Sequence, residues 1–128
     1  MVYYKHNEDW NEKSEIIAQQ TDIVPSVLDY LNFKGDNVAF GQSVFDSTAN
    51  RFAASYLYGI YQLIQGDYVL KFDGKKNVSL YNFANDSLLQ HNLIKNEDSI
   101  IQEMSNLSEA IIQQYNNRMI HNNLTVKE

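Results

Sequence analysis

Residues 51–83, RFAASYLYGIYQLIQGDYVLKFDGKKNVSLYNF, decide the fold of this chain. Apolar and aromatic residues recur there with a period of two in short runs rich in Tyr, Phe, Val, Ile and Leu. Gly59, the pair Gly66 and Asp67, and the DGKK sequence at 73–76 separate the runs, as tight turns between antiparallel strands do. The stretch therefore predicts a β-meander of four strands, at 51–58, 60–65, 68–73 and 77–83.

A long amphipathic helix is predicted after the meander, from Glu97 to about Asn122. Its apolar residues follow one another at intervals of three and four positions. They are Ile100, Met104, Leu107, Ile111, Tyr115 and Met119. Because an antiparallel sheet needs a cover on its apolar face, we expect this helix to pack across the meander.

Ahead of the meander the sequence predicts a shorter helix at 22–31. Asp22 is placed to cap its first turn, and Pro25 lies where a missing N–H costs least. The apolar run at 1–4 suits a short strand, and 32–50 reads as an ordered connector. The predicted class is α+β, divided into residues 1–46, the end of a catalytic-domain-like region, and 47–128, a subdomain of sheet plus helix.

Composition narrows the function classes. Sixteen acidic and ten basic residues give a net charge of −6 without basic clusters, which disfavours nucleic acid as a partner. The chain has no Cys, so disulfides, thiol nucleophiles and Cys-based zinc sites are excluded. No apolar run approaches the roughly 18 residues that span a bilayer, and the first residues lack the organisation of a secretion signal, so the chain as given is expected to be soluble, without direct membrane insertion.

The sequence contains no convincing set of catalytic, cofactor-binding or metal-ligating residues. The histidines are isolated in sequence and fit surface positions, and the Asp residues suit caps and turns better than acid–base or cation chemistry. The strand aromatics fit cross-strand packing best, with a sugar-stacking platform as the less favoured reading. The three groups are His6, His91 and His121; Asp22, Asp46, Asp67, Asp73 and Asp86; and Tyr56, Tyr58, Tyr61, Tyr68, Phe72, Tyr81 and Phe83.

Two segments ahead of the meander resemble a known pattern. QTDIVPSVLDYL at 20–31 is similar to the D-I-x-P-T-x-L-D-x-L stretch found towards the end of sulfatases, lipoteichoic acid synthases and phosphoglycerol transferases, with Ser26 where Thr is usual. FGQSVF at 40–45 resembles the F-G-x-S-L-F that follows this helix in the transferase-like branch. The resemblance points to the alkaline phosphatase superfamily.

Later segments extend the resemblance. GIYQLI at 59–64, LYNFAND at 80–86 and Asn92-Leu93 are similar to the sulfatase ending g-x-Y-K-L-I followed by L-Y-D-L-x-x-D-P-x-E-x-x-N-L. Gln62 replaces Lys, Ser87 replaces Pro, and no Glu follows. These departures favour phosphoglycerol transferase-like proteins over true sulfatases.

The resemblance implies a non-catalytic C-terminal portion of a metal-dependent enzyme that transfers phosphoryl groups or hydrolyses sulfuric or phosphoric esters. The nucleophile and the ligands of the Mn²⁺, Zn²⁺ or Ca²⁺ ion are expected upstream, so this chain alone is expected to be inactive. Its partner would be the catalytic domain, in a parent protein anchored in the cytoplasmic membrane with its enzyme domain outside. The alternative is a free-standing interaction module that uses the sheet face or the exposed edge strand at 1–4 to bind a partner, or to form a homo-oligomer through that edge.

Overall fold

The protein is described by a computed structural model at residues 6–7, 9 and 13–126. The predicted α+β class is confirmed. A 3-10 turn, Gln20–Asp22, leads into helix α1, Ile23–Tyr30, and an irregular connector follows. Four strands then form an antiparallel sheet in sequence order, and helix α2, Asp98–Ile120, comes last. The strands are β1 (Phe52–Leu57), β2 (Ile60–Gln65), β3 (Tyr68–Phe72) and β4 (Asn77–Asn82).

Strand β1 ends one residue earlier than the sequence predicts. Tyr58 was expected to close β1, but it lies in the turn with φ 49°, next to Gly59 with φ 83°. Two consecutive residues with positive φ give the two-residue loop whose twist matches that of its strands, which explains why Tyr58 is drawn out of β1. The register that follows pairs Leu57 with Ile60.

The core lies between the sheet and α2. Leu63, Leu70 and Leu80 are direct cross-strand neighbours on one face, and each is at most 2% exposed. Met104 of α2 closes over them, with Leu107 among the partly buried residues around it. The predicted covering role of the long helix is thereby confirmed, and burial of these side chains contributes about 1.5–3 kcal/mol each.

The segment before the sheet is built differently. α1 makes its main element contact with the 3-10 turn that precedes it, and extensive packing on the sheet is not seen among the described residues. The connector at 32–50 is ordered by hydrogen bonds rather than regular structure, as predicted. The strand predicted at 1–4 lies outside the described residues, and the division at 46/47 stays a prediction.

Both outer edges of the described sheet carry polar contacts from other parts of the chain. The Ala54 N–H of β1 donates to Gln19 Oε1 at 2.9 Å. On β4 the Leu80 N–H donates to Asn92 Oδ1 at 3.1 Å, and the Leu93 N–H donates to the Leu80 carbonyl at 2.8 Å. These contacts occupy backbone groups through which a further strand would pair.

Candidate functional site

Asp22 is the polar centre of the region before the sheet, and it is only 3% exposed. Its Oδ2 accepts from the Gln19 N–H at 2.9 Å and its Oδ1 from the Gln42 N–H at 2.8 Å. The residue stands at the predicted cap position of α1, but its side chain makes no capping bond to the helix. Asp22 therefore does not cap α1 itself as predicted; its bond to the Gln19 N–H is instead the capping-box bond of the 3-10 turn that leads into α1, and its second oxygen is taken by the connector.

Ser26 carries the second link between α1 and the connector. Its side chain is fully buried; the hydroxyl donates to the Asp22 carbonyl one turn earlier and accepts from the Val44 N–H at 3.0 Å. A buried hydroxyl with both a donor and an acceptor role filled is a stable arrangement. Thr, which also carries a hydroxyl on Cβ, could make the same two bonds.

Gly41 lets the connector approach the start of α1. A Cβ atom at this position would lie 2.2 Å from the Thr21 carbonyl oxygen and 2.5 Å from the Asp22 nitrogen, both backbone atoms. No side chain fits at such distances. This close approach of the connector places Gln42 beside Asp22. We call Asp22, Ser26, Gly41 and Gln42, with Val44, the junction.

Further polar contacts extend from the junction. The Ser43 hydroxyl donates to the Asp29 carboxylate, and Arg51 Nη2 donates to the Ser43 and Asp46 carbonyls, each at 2.7 Å. Near the C-terminal end of α2, Arg118 donates to the Val38 carbonyl and lies 4.3 Å from the centroid of the Phe40 ring. The connector is thus attached both to the start of the sheet and to the long helix.

The predicted roles of the other acidic residues are turn roles. Asp46 accepts from Thr48, Asp73 from the Lys75 and Lys76 N–H groups, and Asp86 from the His91 N–H. These hydrogen bonds lower the pKa of each carboxyl, chiefly through the Thr48 hydroxyl for Asp46 and through backbone N–H groups for the other two. Asp67 contributes its carbonyl, which accepts from the Phe83 N–H.

The histidines lie apart from one another. His6 and His121 are exposed, and the His91 ring lies 3.4 Å from the Asp86 carboxylate with 80% of its side chain exposed. Across the described ranges, no three His or acidic side chains gather at metal-ligating distance. No described residue can therefore be assigned as a ligand of the divalent metal that the resemblance implies.

Four of the seven predicted strand aromatics fall into two sets, one on each face of the sheet. Tyr56, Tyr61 and Phe72 are direct neighbours across β1, β2 and β3, with ring centroids 4.5 Å and 6.3 Å apart, and they lie on the α2 side of the sheet. Tyr81 lies on the opposite face, with Lys71 Nζ 5.8 Å from its ring. Cross-strand packing, the favoured interpretation, fits this row, although Tyr56 remains 61% exposed.

Beside this row, an open groove of about 450 Å³ lies between the sheet and α2. Tyr61, Phe72 and Lys75 line its sheet side, and Glu109, Gln113 and Asn116 are among the residues that line its helix side. Sequence reasoning found the rings but missed the helix side. The sequence does contain a signal for the helix side. Glu109, Gln113 and Asn116 are spaced by four and three positions, so they lie on one face of the helix.

A different surface is formed by α1 and its flanks. Ile23, Val24, Val27 and Leu31 are 44–66% exposed, and Phe33 is 53% exposed. Exposed single apolar side chains are ordinary, but five on one short helix and its end form a patch that usually marks an interaction surface. We call these five residues the α1 patch.

No protein-family model matches the chain, and no curated protein matches it. Within the described part of the chain, no helix has both the length and the apolar character needed to cross a membrane.

Proposed function

We propose that this chain is a non-catalytic C-terminal portion of a sulfatase-like enzyme, closest to the phosphoglycerol transferases of the alkaline phosphatase superfamily. In the full enzyme it supports the metal-dependent catalytic domain, and the α1 patch is the surface that this domain covers. The chain alone carries no turnover. Mn²⁺, Zn²⁺ or Ca²⁺ would be bound by residues of the catalytic domain.

The observation that carries the proposal is the junction. The two segments on which the resemblance rests, 20–31 and 40–45, contact each other through their motif residues: Asp22 with Gln42, Ser26 with Val44, and Gly41 against the Thr21 and Asp22 backbone. Residues that share one arrangement of hydrogen bonds and one close approach are expected to recur together in sequence. This supports the interpretation of the motif as a structural unit of that family.

The α1 patch is the second support. Its apolar side chains flank a helix of eight residues that lacks an apolar core of its own. So short a helix has little stability without tertiary cover. A larger domain lying against Ile23, Val24 and Val27 would supply that cover through burial of apolar surface.

The alternative function, a free-standing interaction module that pairs through an exposed strand edge, is less supported. The strand proposed for this role, at 1–4, lies outside the described residues. Contacts from Gln19, Asn92 and Leu93 already occupy backbone groups on β1 and β4.

The test begins with the genomic DNA just upstream of the codon for Met1. We expect a reading frame, continuous or frameshifted, that encodes an Asp-His metal-ligand pair and membrane helices. The joined polypeptide should hydrolyse bis-p-nitrophenyl phosphate with Mn²⁺ or Zn²⁺, and a chelator should abolish the activity. Unrelated upstream sequence, or chelator-sensitive turnover by the 128-residue chain alone, would refute the proposal.

A matched pair of variants tests the docking surface in the joined polypeptide. Val27→Asp places a charge in the α1 patch, where the side chain is 46% exposed, so the chain itself should still fold. Leu88→Asp makes the same change at a side chain that is 76% exposed and lies outside the patch. We expect V27D to lower the activity and melting temperature of the joined polypeptide and L88D to leave both unchanged. Equal effects would contradict the assigned surface.

A further inference from the structure

We propose that the groove between the aromatic row and α2 is a binding site for a neutral oligosaccharide. The proposal concerns residues within this chain only, so it stands or falls independently of the catalytic domain. Its volume of about 450 Å³ lies within the range of roughly 300–1,000 Å³ that small-molecule sites occupy.

The sheet side supplies a stacking surface. Tyr56 and Tyr61 lie side by side on adjacent strands, with ring centroids 4.5 Å apart, and Phe72 continues the row at 6.3 Å from Tyr61. The face of an aromatic ring carries partial negative charge and attracts the polarised C–H groups on the flat side of a sugar ring. Of these three rings, Tyr61 and Phe72 line the groove, but Phe72 is only 8% exposed, so Tyr61 is the ring that a ligand in the groove can reach; Tyr56, which is 61% exposed, lies beside the groove.

The helix side supplies hydrogen bonds. Gln113 and Asn116 each offer an amide oxygen and an NH₂ group, and Glu109 offers two acceptors. Among the described residues these three side chains have no hydrogen-bond partner, whereas Gln102 and Asn106, earlier on α2, bond to each other at 2.8 Å. Planar groups that both donate and accept match the vicinal hydroxyls of a sugar.

Charge favours a neutral ligand. The groove has one cationic side chain, Lys75, and one anionic side chain, Glu109, so its own charge is balanced. The chain as a whole carries −6, which opposes phosphate or sulfate esters. A second groove, of about 490 Å³, shares Gln113 and Asn117 with the first and is also lined by two further amide side chains, by His121 and by Arg118, whose guanidinium already contacts the Val38 carbonyl and the Phe40 ring. The amide side chains of the two grooves together offer hydrogen bonds to more than one sugar unit.

Nuclear magnetic resonance titration of the 128-residue chain tests the site with four probes: cellohexaose, maltoheptaose, laminarihexaose and chitohexaose. At least one probe should bind in the micromolar-to-millimolar range and shift the amide signals of Tyr61, Gly74, Gln113 and Asn116. No shift at these residues with any of the four probes would overturn the proposal. So would tighter binding of a sulfated or phosphorylated form of the same sugar.

Variants then distinguish stacking from a general loss of structure. Tyr61→Ala should weaken binding of the active probe about tenfold or more. Tyr58→Ala removes the same atoms from a 94% exposed position outside the groove and should leave binding unchanged. Asn116→Ala, at an exposed helix position, should weaken binding while the spectrum of the free protein stays that of the folded chain. Unchanged affinity in both Y61A and N116A would refute the site.

Discussion

The sheet with α2 and the junction with α1 differ in what they bury. Leu63, Leu70 and Leu80 pack under Met104, each at most 2% exposed. Across residues 13–50 the only buried side chains are Asp22 and Ser26, both polar, while the α1 patch faces outward. The sheet with α2 is therefore held by apolar burial, whereas the junction with α1 is held by a few hydrogen bonds. The junction with α1 gains most from a covering partner.

The largest effect is expected in the sheet core. Leu70→Ala removes a fully buried side chain from the middle of the sheet and should lower the free energy of unfolding by about 2–5 kcal/mol, measured by urea denaturation. Leu57→Ala, at a 65% exposed position, should change it by less than about 0.5 kcal/mol. An equal loss of unfolding free energy in the two variants would show that burial of Leu70 does not stabilise the sheet.

Gly41→Ala should disrupt the junction. The new Cβ would meet backbone atoms that cannot move independently, so the connector must shift, at a cost of about 1–3 kcal/mol. We expect faster limited proteolysis within 32–50, with the sheet remaining folded by circular dichroism.

Gly35→Ala is the matched control, because the three atoms nearest to its Cβ would all belong to the ring of the half-exposed Phe33. That ring can rotate away, so proteolysis should be little changed. Equal sensitivity of both variants would show that the close approach at Gly41 is not what orders the connector.

Ser26→Ala leaves the Val44 N–H without its acceptor and should destabilise the junction by about 1–3 kcal/mol. Ser26→Thr keeps the hydroxyl and should retain more protection. The measurement is hydrogen exchange at the Val44 amide, which should be faster in S26A than in S26T. The opposite order would contradict the assigned hydrogen bond.

The α+β class was predictable because alternation and helical spacing report directly on which faces are buried. The turn positions were harder to predict from the sequence. The side chain of Tyr58 does not require a φ of 49°, which is set by the geometry of the whole hairpin. The bond from Asp22 to Gln42 spans 20 residues and could not be found by local capping rules. The groove required knowing which face of α2 meets the aromatic row.

The smallest effect is expected from the pH dependence of turns that are closed by Asp side chains. One such turn lies in the connector and another lies between strands of the sheet. Hydrogen bonds lower the pKa of Asp46 in the connector and of Asp73 in the turn between β3 and β4 below the ordinary value of about 3.9. A lowered folded-state pKa gives stability that is fully present above the unfolded value and is lost as pH falls through the folded one. Chemical-shift titration of the Thr48 and Lys75 amides should therefore give midpoints below about 3.9. Midpoints above it would contradict the turn geometry.

Hydrogen exchange of the isolated chain at neutral pH tests the central contrast most directly. The free energy of opening at each amide reports how firmly its element is held. We predict that amides in the last turn of α1 exchange through local opening, at least about a hundredfold faster than those of Leu63, Leu70 and Leu80 after correction for intrinsic rates. Equal protection of α1 and the sheet would contradict the account, because it would show that the junction is stable without a covering domain.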